Sequence, residues 1–439
     1  MKRSVVALWV GVGLFGKPFA AQADTSTHFG HGARTVALAR ADVAGADATA
    51  ATLQNPAFAA EPGSRFRIGY MHGFFNLRID EQAAPVRDVS GIDAAIQLGF
   101  RAPHKISFGL ALSAHLPDDS IARIGFRPGT EPQFFRYESV LQRAAFDIVA
   151  AGKKGPVALG VGAAFALDMG GPGTSFNLAQ DAQGTYADAA SDIRLAYRVA
   201  PLVGLSLDFR RISFGAMYRG ALAIDLSINS EIRIALNENP LNGTTSIAVR
   251  GASGYEPARA SLGTKIVAHR QVSIFAAMEY QRYRDAPPPV ANVTLDVRLG
   301  TSPGRTEVEF VAPRFRDILV PRLGIEWSSA AGRLTDERGP DDQRLRWAAR
   351  AGYAFEPSPV PRQTGFTTYA DASSHAFGLG GGVGIGRHWG VDLRFDLAGR
   401  LSVLTPREER KASPVLPYAH YTVSGNTFVG AISLEGAFR

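Results

Sequence analysis

Apolar and polar side chains alternate along most of this chain. In Trp389 to Leu401, the residues Trp389, Val391, Leu393, Phe395, Leu397 and Leu401 alternate with Gly390, Asp392, Arg394, Asp396, Ala398 and Arg400. That period of two belongs to a β-strand with two different faces. A face carrying both Asp and Arg cannot point into lipid, where Arg at mid-depth costs about 2 to 4 kcal/mol. The same alternation sets Ile106, Phe108, Leu110 and Leu112 against Ser107, Gly109, Ala111 and Ser113. It sets Leu345, Trp347, Ala349, Ala351, Tyr353 and Phe355 against Arg346, Ala348, Arg350, Gly352, Ala354 and Glu356. The chain closes on it too, with Phe428, Ile432, Leu434 and Phe438 opposite Ser433, Glu435 and Arg439.

Strands of this kind are predicted near 64–79, 92–101, 105–116, 139–151, 157–169, 190–208 and 212–228. They continue near 257–268, 272–285, 316–328, 343–356, 374–386, 389–401 and 426–438. That makes fourteen, an even number as a single-chain bacterial barrel requires. A soluble antiparallel sandwich is the competing architecture, but it needs a shared apolar core and usually shorter strands.

The N-terminus has a different pattern. Lys2 and Arg3 precede an apolar stretch from Val5 to Phe15, and Ala21-Gln22-Ala23 offers a small-x-small cleavage site. We expect an export signal over 1–23, cut before Asp24. The apolar stretch is short of the roughly 20 residues that a spanning helix needs. No later run is long and apolar enough either, so a membrane-spanning chain here must use strands, which only a closed barrel satisfies in lipid. Residues 24–62 are Ala-rich, with short helix candidates at 35–41 and 47–53 punctuated by Gly. The expected organisation is therefore a signal peptide at 1–23, a compact helical insert at 24–62, and a barrel at 63–439.

Tight turns at Ala102-Pro103-His104, Gly152-Lys153-Lys154-Gly155, Arg210-Arg211 and Gly386-Arg387-His388 contrast with long polar stretches at 117–138, 170–189, 229–256, 286–315 and 402–425. Short turns at one end and long loops at the other fit a barrel whose loops face the cell exterior. Within the loops, Phe134-Phe135 reads either as an exposed pair that catches an apolar ligand or as packing between loops.

Composition narrows the chemistry. The chain has 47 Gly and 26 Phe but no Cys, so disulfides and thiolate chemistry are excluded. Of the net charge of +7, the signal contributes three cations, Lys2, Arg3 and Lys17, leaving about +4, too little to argue for a nucleic-acid partner. His28 and His31 have His-x-x-His spacing but no third ligand in the sequence around them, so no metal site is expected. No recognisable Ser/His pair stands out, and the run Gly378 to Gly386 lacks the Lys-Ser/Thr ending of a phosphate loop. Neither catalysis nor a cofactor is expected. Inward glycines in that run make room for the insert.

The segment Gly32-Ala33-Arg34, Ala37-Leu38, Ala41, Asp47 and Asn55-Pro56-Ala57 resembles the N-terminal plug of the FadL/TodX family of outer-membrane transporters. Leu323-Gly324-Ile325-Glu326-Trp327, the stretch Arg350 to Pro361 and the stretch Tyr369 to Gly380 are similar to late strands of that family. The chain departs from the family pattern at Ala39-Arg40, where a Gly pair is usual, at Ala48, and at Leu53-Gln54 before the Asn-Pro-Ala. It also ends on Arg439, one residue beyond the aromatic Phe438.

The resemblance implies a fourteen-stranded outer-membrane barrel closed by a short helical plug inside its lumen. It implies passive uptake of long-chain fatty acids or other hydrophobic compounds, with lateral exit into the bilayer. Outer-membrane lipid and lipopolysaccharide would surround it, and it would act as a monomer. Phe29, Val36, Leu38, Val43, Leu53 and Phe58 are then candidates for plug surface facing substrate, with Phe134 and Phe135 above them. Arg34 and Arg40 become possible carboxylate partners, though pairing with luminal acids is the other reading. Asn55, Pro56 and Ala57 would form a latch, or simply stop a helix. A general diffusion porin and a structural or adhesive barrel share the strand pattern and stand as alternatives.

Overall fold

The computed structural model describes residues 28–118, 131–137, 143–181, 184–235, 242–288, 291–299, 302–309, 313–329, 345–388 and 391–438. The expected signal peptide lies outside the described residues. The strands form a closed fourteen-stranded antiparallel barrel. They run Gly63–Ile79, Val89–Ala102, Ile106–Pro117, Ala145–Lys154, Val157–Asp181, Gly184–Phe209 and Ile212–Arg219 continued by Leu222–Ala235. The rest are Gly243–Glu256 continued by Ala258–His269, then Val272–Arg282, Ile318–Ser328, Leu345–Glu356, Ser374–His388, Val391–Leu404 and His420–Phe438. The first and last strands zip together from Ser64 opposite Phe438 to Ile79 opposite Val423, so no sheet edge is left at the seam.

The predicted alternation sorts side chains as expected, but inverted relative to a soluble protein. On Val391–Leu404, Phe395 and Leu397 are more than half exposed, whereas Asp392, Arg394, Asp396 and Arg400 are buried. Leu345 and Trp347 face out while Arg346 and Arg350 face in, and Phe108, Leu110 and Leu112 face out opposite Ser107, Ala111 and Ser113. An outer surface of Phe, Leu, Ile and Val around an interior of paired charges is the arrangement that a lipid bilayer selects. Tight turns close one end, and His104, Lys105 and Arg210 adopt positive φ there, as short hairpin loops demand.

Beyond the other end the strands run further than the sequence suggested. Val157–Asp181 and Gly184–Phe209 form one long ribbon through what was expected to be the loop 170–189. Gly243–Glu256, Asn292–Leu299 and Ser302–Glu309 add paired strands within the expected loops 229–256 and 286–315. Their sequences keep β-branched residues but have no consistently apolar face, so face alternation could not reveal them.

The wall is interrupted beside Pro201. Gly184–Phe209 pairs with its successor only as far as Leu202 opposite Arg219. Pro201 has no N–H to continue the ladder, and a Cβ on Gly220 would lie 2.6 Å from Pro201 Cδ. The Gly220 N–H donates to the Pro201 carbonyl at 2.9 Å. Leu222–Ala235 then leaves that neighbour and pairs in parallel with Gly173–Ala179.

Residues 28–60 fill the lumen and are buried throughout. They form a helical turn at Ala33–Ala37, a 3-10 turn at Asp42–Ala44, consecutive turns at Ala48–Ala50 and Ala51–Gln54, and a 3-10 turn at Pro56–Ala60. None is long enough to be stable alone; small Ala side chains let these turns lie against the barrel wall.

Candidate functional site: a plugged lumen under an aromatic lid

The plug is tied to the wall by charge. Arg34 donates to both Glu326 oxygens, at 2.8 and 3.2 Å, to Asp42 at 3.3 Å and to the Gly45 carbonyl at 3.1 Å. Glu326 also accepts from Arg350, which reaches Asp396 at 2.6 Å. Asp396 accepts from Arg394, and Arg394 returns to the plug at Asp47, 2.6 Å away. Asp47 lies 3.6 Å from Arg34, closing a ring of alternating charges in which plug residues and wall residues each hold part of the circuit. A second chain runs from Arg40 to Glu279, from Glu279 to Arg322, and on to Glu356 and Arg400. Both arginines proposed as carboxylate partners are thus already engaged by protein carboxylates.

The plug backbone beds into glycines. A Cβ at Gly109 would sit 1.8 Å from the Ala59 carbonyl oxygen, and one at Gly378 would sit 2.4 Å from that of Ala37. The glycine run singled out in the sequence provides this clearance for Ala37. Asn55 donates through Nδ2 to the carbonyls of Val43 at 3.0 Å and Leu205 at 2.9 Å, and its Oδ1 accepts from Ala57 N–H. Pro56 begins the next turn and lies against Gly160 and Gly204. Asn55-Pro56-Ala57 therefore joins two plug turns to a wall strand as well as stopping a helix.

The apolar plug candidates are spread over the wall rather than gathered round one cavity. Phe29 packs on Met71 and Val429 with the Arg400 guanidinium over its ring. Val36 meets Ala398 and Ala431, Leu38 meets Phe275, and Val43 meets Met217 and Ala277. Leu53 borders a water-sized void of about 10 Å³ with Gly30, Arg40, Gln54, Met217, Arg219 and Arg259. Phe58 shares a cluster with Ala200, Leu202 and Leu222, the residues flanking the interruption in the wall.

Phe134 and Phe135 are not exposed, as one reading of the sequence had them; they are 1% and 8% accessible. Gln133–Phe134 pairs in parallel with Tyr369–Ala370, which draws two distant loops together. Phe135 stacks on Phe315 at 4.3 Å and meets Tyr283 and Tyr369 edge-on, while Phe134 packs with Leu77, Tyr137 and Tyr421. Arg136 between them donates to Asp371 at 3.0 Å. Burial pushes the Asp371 carboxyl up, against the pull of Arg136, and raises the Tyr137 hydroxyl to about 12. The result is an aromatic lid over the lumen. It touches the plug where the His28 ring meets Tyr137 edge-on at 5.8 Å.

Sequence reading missed Phe315, Tyr283 and Tyr369 as partners of the Phe pair because they lie well over a hundred positions away, and it missed the neighbouring Tyr137 because nothing local shows which way that ring turns. It also missed the wall interruption, although Pro201 inside an alternating run was a usable signal.

A closed, lipid-facing barrel with a luminal N-terminal plug defines the class, a plugged outer-membrane-type barrel. In fold the chain is similar to a FadL homologue from Pseudomonas aeruginosa, at 12% identity over 96% of this chain and 99% of that one, with a TM-score of 0.52. It is similar also to the CymD monoaromatic hydrocarbon channel, at 14% identity over 95% and 99% of the two chains, with a TM-score of 0.50. No family model matches the chain, and no curated protein does.

Proposed function

We propose that this chain is a passive outer-membrane channel for hydrophobic small molecules, long-chain fatty acids or hydrocarbons, closed at rest by the plug within residues 24–62. The observation that carries this reading is the coincidence of the wall interruption at Pro201 and Gly220 with the apolar cluster of Phe58, Ala200, Leu202 and Leu222. A solute passing the aromatic lid would meet a lumen sealed to ions by paired charges. Its favourable route is sideways into lipid, past Phe58, where strand pairing is already broken. Each methylene moved from water into an apolar setting contributes about 0.8 kcal/mol, so the route needs no external energy.

A shallow apolar depression of about 670 Å³ on the outer wall, lined in part by Leu205, Phe214, Leu262 and Met278, lies over the Val43 region of the plug and would receive an acyl chain. Outer-membrane lipid and lipopolysaccharide are the expected surroundings, and a monomer suffices.

The test is equilibrium binding of a long-chain fatty acid to the purified barrel, with toluene as competitor, beside flux of a small sugar through reconstituted protein. Saturable fatty-acid binding with no sugar flux is expected, and deleting residues 24–62 should open sugar flux. Free sugar passage through the intact chain would make it a porin.

A further inference from the structure

We infer that His31, Asp93 and His115 form a site for a transition-metal ion, zinc above all, that fastens the plug to the barrel wall. Asp93 and His115 are direct cross-strand partners on the two strands Val89–Ala102 and Ile106–Pro117, both facing the lumen. His115 Nδ1 and Asp93 Oδ1 are 2.8 Å apart. From the plug, His31 brings its Nε2 to 3.6 Å from the same Asp93 oxygen. One donor atom from each residue lies within 4.8 Å of the other two, and all three residues are buried. A tetrahedral zinc site places its ligand atoms about 3.4 Å apart, given bonds of about 2.0 to 2.1 Å. His31 and Asp93 are already close to that spacing, and the hydrogen-bonded His115–Asp93 pair need only open by about half an ångström.

The local backbone is built to present His31. Gly30 and Gly32 flank it at φ of 100° and 76°, which L side chains rarely adopt, so the turn is specified by two glycines. On the wall, Gly91 leaves room for the His115 ring, since a Cβ there would lie 2.7 Å from His115 Cε1. Yet His31 gains nothing from this placement in protein hydrogen bonds, as neither ring nitrogen has a partner. Burying an imidazole with both nitrogens unsatisfied is unfavourable, and a metal bond would satisfy one.

The donor set also selects the ion. Arg67 packs against Gly32 and opposes positive charge here. With a single carboxylate available, hard cations such as Mg²⁺ and Ca²⁺ lack the oxygen ligands they need, whereas two imidazoles suit zinc or its first-row neighbours. A fourth position would fall to water. The sequence showed His28 and His31 as an isolated pair; the third and second ligands come from the wall, not from His28, which faces Glu356.

The test uses the mature chain in detergent, stripped with a chelator and titrated calorimetrically with Zn²⁺, then with Mg²⁺ and Ca²⁺. We expect one Zn²⁺ per chain, at least tenfold weaker binding in His31→Ala and in His115→Ala, and no comparable binding of Mg²⁺ or Ca²⁺. His31→Ala removes a plug ligand without touching a strand, and heat-modifiable gel migration verifies that the barrel is intact. Zinc should also slow proteolysis within residues 28–62 of the parent chain but not of His31→Ala. Absence of saturable Zn²⁺ binding, or binding that His31→Ala leaves unchanged, would overturn the proposal.

Discussion

Replacing Arg34 with Ala tests whether charge holds the plug. In the ring described above, Glu326 would keep Arg350 and Asp47 would keep Arg394. Asp42 would fare worse. It is fully buried, its Oδ1 has no hydrogen-bond partner, and without Arg34 its Oδ2 retains only the Thr35 hydroxyl at 3.2 Å. Leaving a buried charge without its partner costs about 3 to 5 kcal/mol, and even the lower figure shifts the seated-to-released ratio by about a hundredfold at 1.4 kcal/mol per decade. Planar-bilayer conductance and sugar flux into liposomes should both rise in Arg34→Ala. Adding Asp42→Asn removes the orphaned charge, so the double variant should regain most of the closure; such non-additivity is the signature of direct coupling. Closure of Arg34→Ala at the parent level, or a double variant no tighter than the single, would refute the reasoning.

Gly109→Val should leave the barrel assembled but unseat the last plug turn, because the new side chain would overlap the Ala59 carbonyl; raised conductance with normal heat-modifiable migration is the expected readout. Phe135→Ala should destabilise the lid by about 3 to 5 kcal/mol, the usual range for a buried Phe, and show as faster proteolysis of the loops around 131–137 and 357–373 without unseating the plug. Acid should loosen the plug. Burial, reinforced by Arg400, Arg136 and Arg259 and opposed by Glu356, lowers the His28 imidazole from its free value of 6.5 to about 3. The released plug therefore binds a proton that the seated plug refuses, so seating is fully favoured above about pH 6.5 and weakens as pH falls toward 3. At pH 5 the loss is about 2 kcal/mol, and His28→Gln should abolish that part of the pH dependence of conductance.

What the sequence disclosed follows from its physics. The two-sided strands were legible because Phe395 must face lipid while Asp396 must not, a constraint local to neighbouring residues. Asn55-Pro56-Ala57 and the glycine run at 378–386 were legible as backbone devices. Contacts that depend on closure were not. Arg34 finds Glu326 nearly three hundred residues away, Phe135 finds Phe315 across the mouth, and His31 finds Asp93 and His115 only once the chain has curled into a cylinder. The ribbon around 170–189 was misread as loop because pairing outside the membrane needs no apolar face.

The seam between Gly63–Ile79 and His420–Phe438 also dictates an order of events in assembly. The plug precedes the first strand and is wholly enclosed, so it must already lie within the curling sheet when the final strand arrives. Zipping Phe438 onto Ser64 is then an act of enclosure as well as of pairing. A plug that fits poorly would be sensed at that moment, as a sheet that cannot close around its contents. A plug too bulky for the lumen should therefore surface as failed assembly, whereas one that is merely untied or missing surfaces as a leak.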